Sequence, residues 1–63
     1  MYVFGYRTTT DFVKATAVFK KHTKYDNQEI KNLIKQIKEG NVIQLENDFV
    51  LREDLEDLDF LIS

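Results

Sequence analysis

The sequence predicts one small α+β domain over residues 1–63: a strand, two antiparallel helices, a β-hairpin, and a C-terminal helix or closing strand. Three patterns carry that expectation. Residues 2–7 alternate as a strand does; Ile30, Leu33, Ile34 and Ile37 fall at i, i+3, i+4 and i+7; and two short apolar runs, 42–45 and 49–51, flank a polar turn. Proline is absent, glycine occurs only at Gly5 and Gly40, and no repeat or linker-like stretch divides the chain.

The first strand is aromatic-rich. Alternation puts Tyr2, Phe4 and Tyr6 on one face and Val3, Gly5 and Arg7 on the other. Such a face either covers a core or, as in RNA binders, stacks exposed bases; the core is the simpler expectation. Thr8, Thr9 and Thr10 followed by Asp11 offer helix-start chemistry, a hydroxyl cap with an acid three residues on. Phe12, Ala15, Phe19 and His22 then recur at helical spacing with Val18 beside them, so a first helix is expected over about 9–22. Lys20, Lys21 and Lys24 gather at its far end, where cations suit the helix dipole.

A short loop, 23–25, leads to the second helix. Asp26 and Glu29 form a cap pair at its start, the apolar stripe follows, and Gly40 stops it as a left-handed C-terminal residue. The two apolar runs around Glu46, Asn47 and Asp48 then read as a hairpin. In the last segment Leu51, Leu55, Leu58 and Ile62 have helical spacing, which favours a helix over about 53–61, its acids at the positive end. Phe60, Leu61 and Ile62 alone also suit a closing strand.

Composition narrows the function. A chain this short buries only about 60% of the surface it exposes when unfolded, so it needs a good core or self-association. Without cysteine it has no disulfide or thiolate chemistry, and a cytoplasmic setting is the default. No apolar stretch approaches the roughly 20 residues of a membrane span, and Met1, Tyr2, Val3 and Phe4 do not read as a secretory signal. Hydrophobic residues at 43% and charged ones at 32% mark a globular chain. The net charge of −2 hides a division: Arg7 to Lys38 carries eight cations against three acids, whereas Glu39 to Ser63 carries Arg52 against eight acids. Such a split hints at an electrostatic partner.

Catalysis is not expected, and neither is a cofactor or a metal. His22 is the one histidine, without the spacing of a metal site, and reads as a boundary residue near a helix end. Glu53, Asp54, Glu56, Asp57 and Asp59 form one local run, a solvated face rather than two carboxylates across a cleft, and no glycine sits where a calcium loop turns. The second helix is the more informative surface. With Ile30 inward, Gln28, Asn32 and Lys35 point outward, Lys31 and Lys38 flank them, and Asn27 lies at the helix start. Amides mixed with lysine are what a helix needs to read a major groove, with Lys20, Lys21 and Lys24 as secondary contacts to phosphate. An exposed helix in a lysine-rich chain looks the same without any ligand.

Ile37, Lys38, Glu39 and Gly40, then a short wing, then Leu51, Arg52, Glu53, Asp54, Leu55, Glu56 and Leu58, resemble small excisionase-type winged helix-turn-helix domains. That resemblance implies a non-enzymatic DNA-binding or regulatory protein of a mobile element. Asn27, Gln28, Lys31, Asn32 and Lys35 would face the groove, and the turn at Glu46 to Asp48 would be the wing tip. The first helix and its turn run longer than that family's, and the wing tip is acidic. A second resemblance spans almost the whole chain: a strand, then Thr8, Asp11, Phe12 and Val13, then two helices ending at Gly40 look like ClpS adaptors and the C-terminal domain of the bacterial ribosomal stalk protein. It implies a protein-binding adaptor or inhibitor with the order strand–helix–helix–strand–helix–strand, in which the last strand pairs with the first. The ClpS peptide-pocket residues are not matched. The first expectation is therefore a DNA-binding or regulatory protein of winged helix-turn-helix type, with an adaptor binding an acidic protein surface as the alternative, a homodimer as a further possibility and no membrane.

Overall fold

β1 (Tyr2–Tyr6) is the middle strand of a three-stranded antiparallel sheet, with β2 (Ile43–Gln44) on one side and β3 (Phe60–Ile62) on the other. The computed structural model describes all residues, Met1–Ser63. Three helices complete the chain: α1 (Phe12–His22), α2 (Asn27–Lys38) and α3 (Phe49–Asp57). The α+β class expected from the sequence is the class observed.

Val3 and its register partner Ile43 are buried, at 0% and 7% exposure, while Tyr2, Phe4, Val42 and Gln44 beside them are exposed. The helices therefore cover one face of the sheet and leave the other bare. Against the covered face pack Ala15 and Phe19 of α1, Ile30, Ile34 and Ile37 of α2, Leu51 and Leu55 of α3, and Phe60 of β3. No polar side chain is buried.

The strict alternation expected of β1 does not hold. The register slips between Val3 and Gly5, so Tyr6 pairs with Phe60 on the helical side. Tyr6 packs edge-on against Phe12 with ring centroids 5.1 Å apart, and its hydroxyl donates to the Lys38 carbonyl at 3.3 Å. Tyr2 and Phe4, expected to cover the core, are each 48% exposed. Val3 takes the core position instead.

α1 begins later than the threonines suggested. Asp11 is its cap, accepting from the Val13 and Lys14 amides at 3.0 and 3.1 Å. Thr9 and Thr10 instead donate to the side chain and carbonyl of Asp59 at 2.6 and 2.9 Å. They hold the turn between α3 and β3, where Asp59 has a positive φ of 67°. α2 follows the sequence closely. Asp26 and Glu29 form the reciprocal capping box, and Gly40 turns out of the helix at φ 88°.

The expected hairpin over 42–51 is absent. β2 pairs with β1, and Phe49, Val50 and Leu51 form the first turn of α3. Asp48 decides this: its carboxylate accepts from the Val50 and Leu51 amides at 3.0 and 3.1 Å, which makes it a helix cap rather than a turn tip. The helix expected over about 53–61 thus starts four residues earlier and ends at Asp57, leaving Phe60–Ile62 free to close the sheet. Its first turn holds no acid. Glu53, Asp54, Glu56 and Asp57 sit toward its negative end, where the dipole does not favour them. Two have side-chain partners: Glu56 meets Arg52 at 2.9 Å, and Asp54 meets His22 Nε2 at 2.7 Å. No helix is long and apolar enough to cross a membrane.

Candidate functional site

α1 and α2 run antiparallel, so the start of α1 lies beside the end of α2. Between them is an open groove of ≈ 750 Å³ lined by Phe12, Val13 and Thr16 of α1, Asn27, Lys31, Ile34, Lys35 and Lys38 of α2, and Glu39. Phe12, Val13 and Ile34 give it apolar surface. Val13 is 82% exposed, an apolar side chain pointing away from the core stripe of its own helix. Ile34 is buried and Phe12 half-buried, so both show only part of their surface to the groove.

The rim is cationic. Lys31, Lys35 and Lys38 are exposed and follow one another at i, i+4 and i+7. Like charges at that spacing destabilise a helix by a few tenths of a kcal/mol each, roughly what an opposite pair would add. None of the three lies within ion-pair distance of an acid, although Glu39, four residues after Lys35, also lines the groove. Lys38 alone finds a local contact, its ammonium 4.5 Å from the centre of the Phe12 ring. At the other end of the groove Lys20 donates to Asn27 Oδ1 at 3.0 Å, tying α1 to the first residue of α2.

The residues singled out from sequence divide between two surfaces. Asn27, Lys31, Lys35 and Lys38 line the groove; Gln28 and Asn32 are exposed on α2 but outside its lining. Lys24 borders a separate hollow of ≈ 320 Å³ with His22, Thr23, Tyr25, Leu45, Glu46, Asp48 and Leu51. Lys21 is exposed and lines neither. Lys20 reaches the groove only through Asn27. Phe12, Val13 and Thr16, the α1 side of the groove, are not among the site residues expected from the sequence. The signal available for them was Val13, an apolar residue one position off the stripe of Phe12, Ala15 and Phe19.

His22 is 12% exposed in its side chain and bridges the end of α1 to the middle of α3 through Asp54. No group of three or more His, Asp and Glu side chains is placed to hold a metal ion. The groove offers apolar contact, ammonium donors and one cation–π pair. No protein-family model, curated protein or solved structure matches the chain.

Proposed function

We propose that this chain is a non-enzymatic protein-binding module, an adaptor or inhibitor, whose α1–α2 groove receives an acidic segment of a partner carrying an apolar anchor. The observation that carries this reading is the pairing of apolar surface from Phe12, Val13 and Ile34 with three lysines that form no ion pair in the chain. An amphipathic helix laid in such a groove satisfies both at once, its apolar side chains against Val13 and its carboxylates against Lys31, Lys35 and Lys38. Electrostatic attraction raises the rate of encounter, and the apolar contact provides most of the lifetime. The chain order strand–helix–helix–strand–helix–strand, with β3 beside β1, also supports the adaptor reading, because a wing and terminal helix for DNA are what that closing strand displaces. A cytoplasmic setting belongs to the same reading, as the default for a chain without cysteine.

A second reading keeps one specific observation. Gln28, Lys31, Asn32 and Lys35 are all exposed on α2, the surface a DNA-reading helix requires. The absence of a wing and the eight acids beyond Lys38 weigh against it.

Backbone chemical-shift mapping separates the two. Titration with a panel of acidic amphipathic helical peptides is expected to move the amides of Val13, Thr16, Ile34 and Lys35. Duplex DNA at about 0.1 M salt is expected to move none. Shifts centred on Gln28 and Asn32 with duplex, weakening steeply with salt, would instead establish the DNA reading.

A further inference from the structure

The molecule carries a segment that suits its own groove. Resting on the function proposed for that groove, we infer that its occupant is the exposed face of α3 from a second copy, chains associating head to tail. α3 has the character that a ligand of the groove needs. Leu51 and Leu55 turn inward, so helix periodicity sets Phe49, Val50, Glu53 and Asp57 on the opposite side, and all four are exposed. Phe49 at 77% and Val13 at 82% are the two most exposed large apolar side chains of the molecule, one on each proposed surface. Neither Glu53 nor Asp57 forms an ion pair within the chain, whereas Glu56 beside them already meets Arg52.

The direction of docking follows from where each surface keeps its apolar end. In the groove Phe12 and Val13 lie at the Lys38 end, the Lys38 ammonium being 4.5 Å from the centre of the Phe12 ring. Glu39 also lines this end, which suits an anchor without charge. In α3 the apolar pair comes first and the acids follow. Phe49 therefore meets Val13 with the acids over the lysines only when the incoming α3 runs antiparallel to α2. Counted back from Lys38, Lys35 and Lys31 lie about 4.5 and about 10.5 Å along α2. Counted on from Phe49, Glu53 and Asp57 lie about 6 and about 12 Å along α3, so each acid falls within about 2 Å of one lysine along the shared axis. The reverse direction sets Asp57 against Val13 and loses the match. α1 packs on both α2 and α3, which do not pack on one another, so a copy that offers its α3 face keeps its own groove free. Contact between unlike patches also avoids the repulsion of a lysine rim or an acidic face set against itself. One face of a nine-residue helix buries little area, so the association is weak and a partner with a better match displaces it.

Sedimentation equilibrium from about 1 µM to about 1 mM spans the range expected for so small a contact. The mass should rise above 7.5 kDa with concentration. Val13→Asp spoils the groove and Phe49→Asp spoils the α3 face; both positions are exposed, so circular dichroism spectra should not change. Each variant alone should stay at 7.5 kDa. An equal mixture of the two should move toward twice that mass and no further, one intact groove meeting one intact α3 face. Glu53→Lys with Asp57→Lys should also abolish association of the chain, which separates a charged contact from apolar adhesion. A mass of 7.5 kDa up to about 1 mM overturns the proposal. So does association that persists in either single variant, and so does a mixture that stays monomeric. In a chain that stays monomeric, acidic peptides that still shift the Val13 and Thr16 amides would leave the groove a receptor for other partners; peptides that shift neither would remove that function as well.

Discussion

Asp48 is the residue at which a wing and a helix diverge, and replacing it with alanine separates them. Its carboxylate accepts from the amides of Val50 at 3.0 Å and Leu51 at 3.1 Å, two of the donors that the first turn of α3 leaves without intrahelical partners. Loss of such a cap costs about 0.5–2 kcal/mol. The Leu51 amide is partly buried and its side chain is 2% exposed, so water replaces the carboxylate poorly; we expect about 1 kcal/mol. A domain of this size holds only about 3–9 kcal/mol in total. Each kcal/mol moves the melting midpoint by about 4–8 °C, so Asp48→Ala should lower it by that amount in thermal circular dichroism at 222 nm. Asp48→Gly supplies the opposing arm. A glycine after Asn47 makes the strongest short hairpin signal, and a wing at this position would gain stability from it. A capped helix instead loses a few tenths of a kcal/mol. An unchanged midpoint for Asp48→Ala together with a raised one for Asp48→Gly would refute the helical assignment, and with it the case against a DNA-binding wing.

Three further outcomes follow from the packing and the groove. Lys31→Glu with Lys35→Glu should leave the melting midpoint within about 2 °C, both side chains being exposed, and weaken binding of an acidic amphipathic peptide by about tenfold or more in fluorescence anisotropy. Leu55→Ala empties a fully buried position between α3 and the sheet; a loss of about 2–5 kcal/mol would leave much of the chain unfolded at 37 °C, readable in urea titration. Asn27→Glu places an acid in the first turn of α2, four residues before Lys31, and should raise stability by about 0.3–1 kcal/mol while weakening the same peptide, measured by the same two assays.

The sequence made α2 legible because every local signal agreed: Asp26 with Glu29, four apolar residues on one stripe, and Gly40 where a positive φ was needed. It misled over 42–51 because local and tertiary preferences conflict there. Val50 and Leu51 are good strand residues, and a polar triplet stands before them, yet the carboxylate of Asp48 and the core positions of Leu51 and Leu55 favour a helix. The threonines before α1 suggest a local cap, whereas Thr9 and Thr10 bond to Asp59 about fifty residues away, which no window of sequence displays. The slip in β1 was hidden for the same reason, since it is set by pairing with β3. Of the site, the lysine rim was legible as helix periodicity. The apolar surface was not, because a groove needs the relative placement of two helices.

Under the proposed function, the lysine rim is explained by use, not by folding. α3 shows that this chain can satisfy its charges locally, with Arg52 and Glu56 one helical turn apart at 2.9 Å. α2 makes no such pair: positions 27 and 28 hold amides, Glu29 serves the cap, and Glu39, four residues after Lys35, is not within ion-pair distance of it. Nor do the acids of α3 reach the groove: Asp54 meets His22 at the far end of α1, and Glu56 meets Arg52 within α3. Three adjacent ammonium groups beside an exposed Val13 cost stability in the free chain, and a partner bringing carboxylates and an apolar side chain to the groove recovers that cost on binding. If the stabilising Asn27→Glu change also strengthened or left untouched the peptide complex, the strain would have no functional counterpart, and the rim would be an ordinary solvated face.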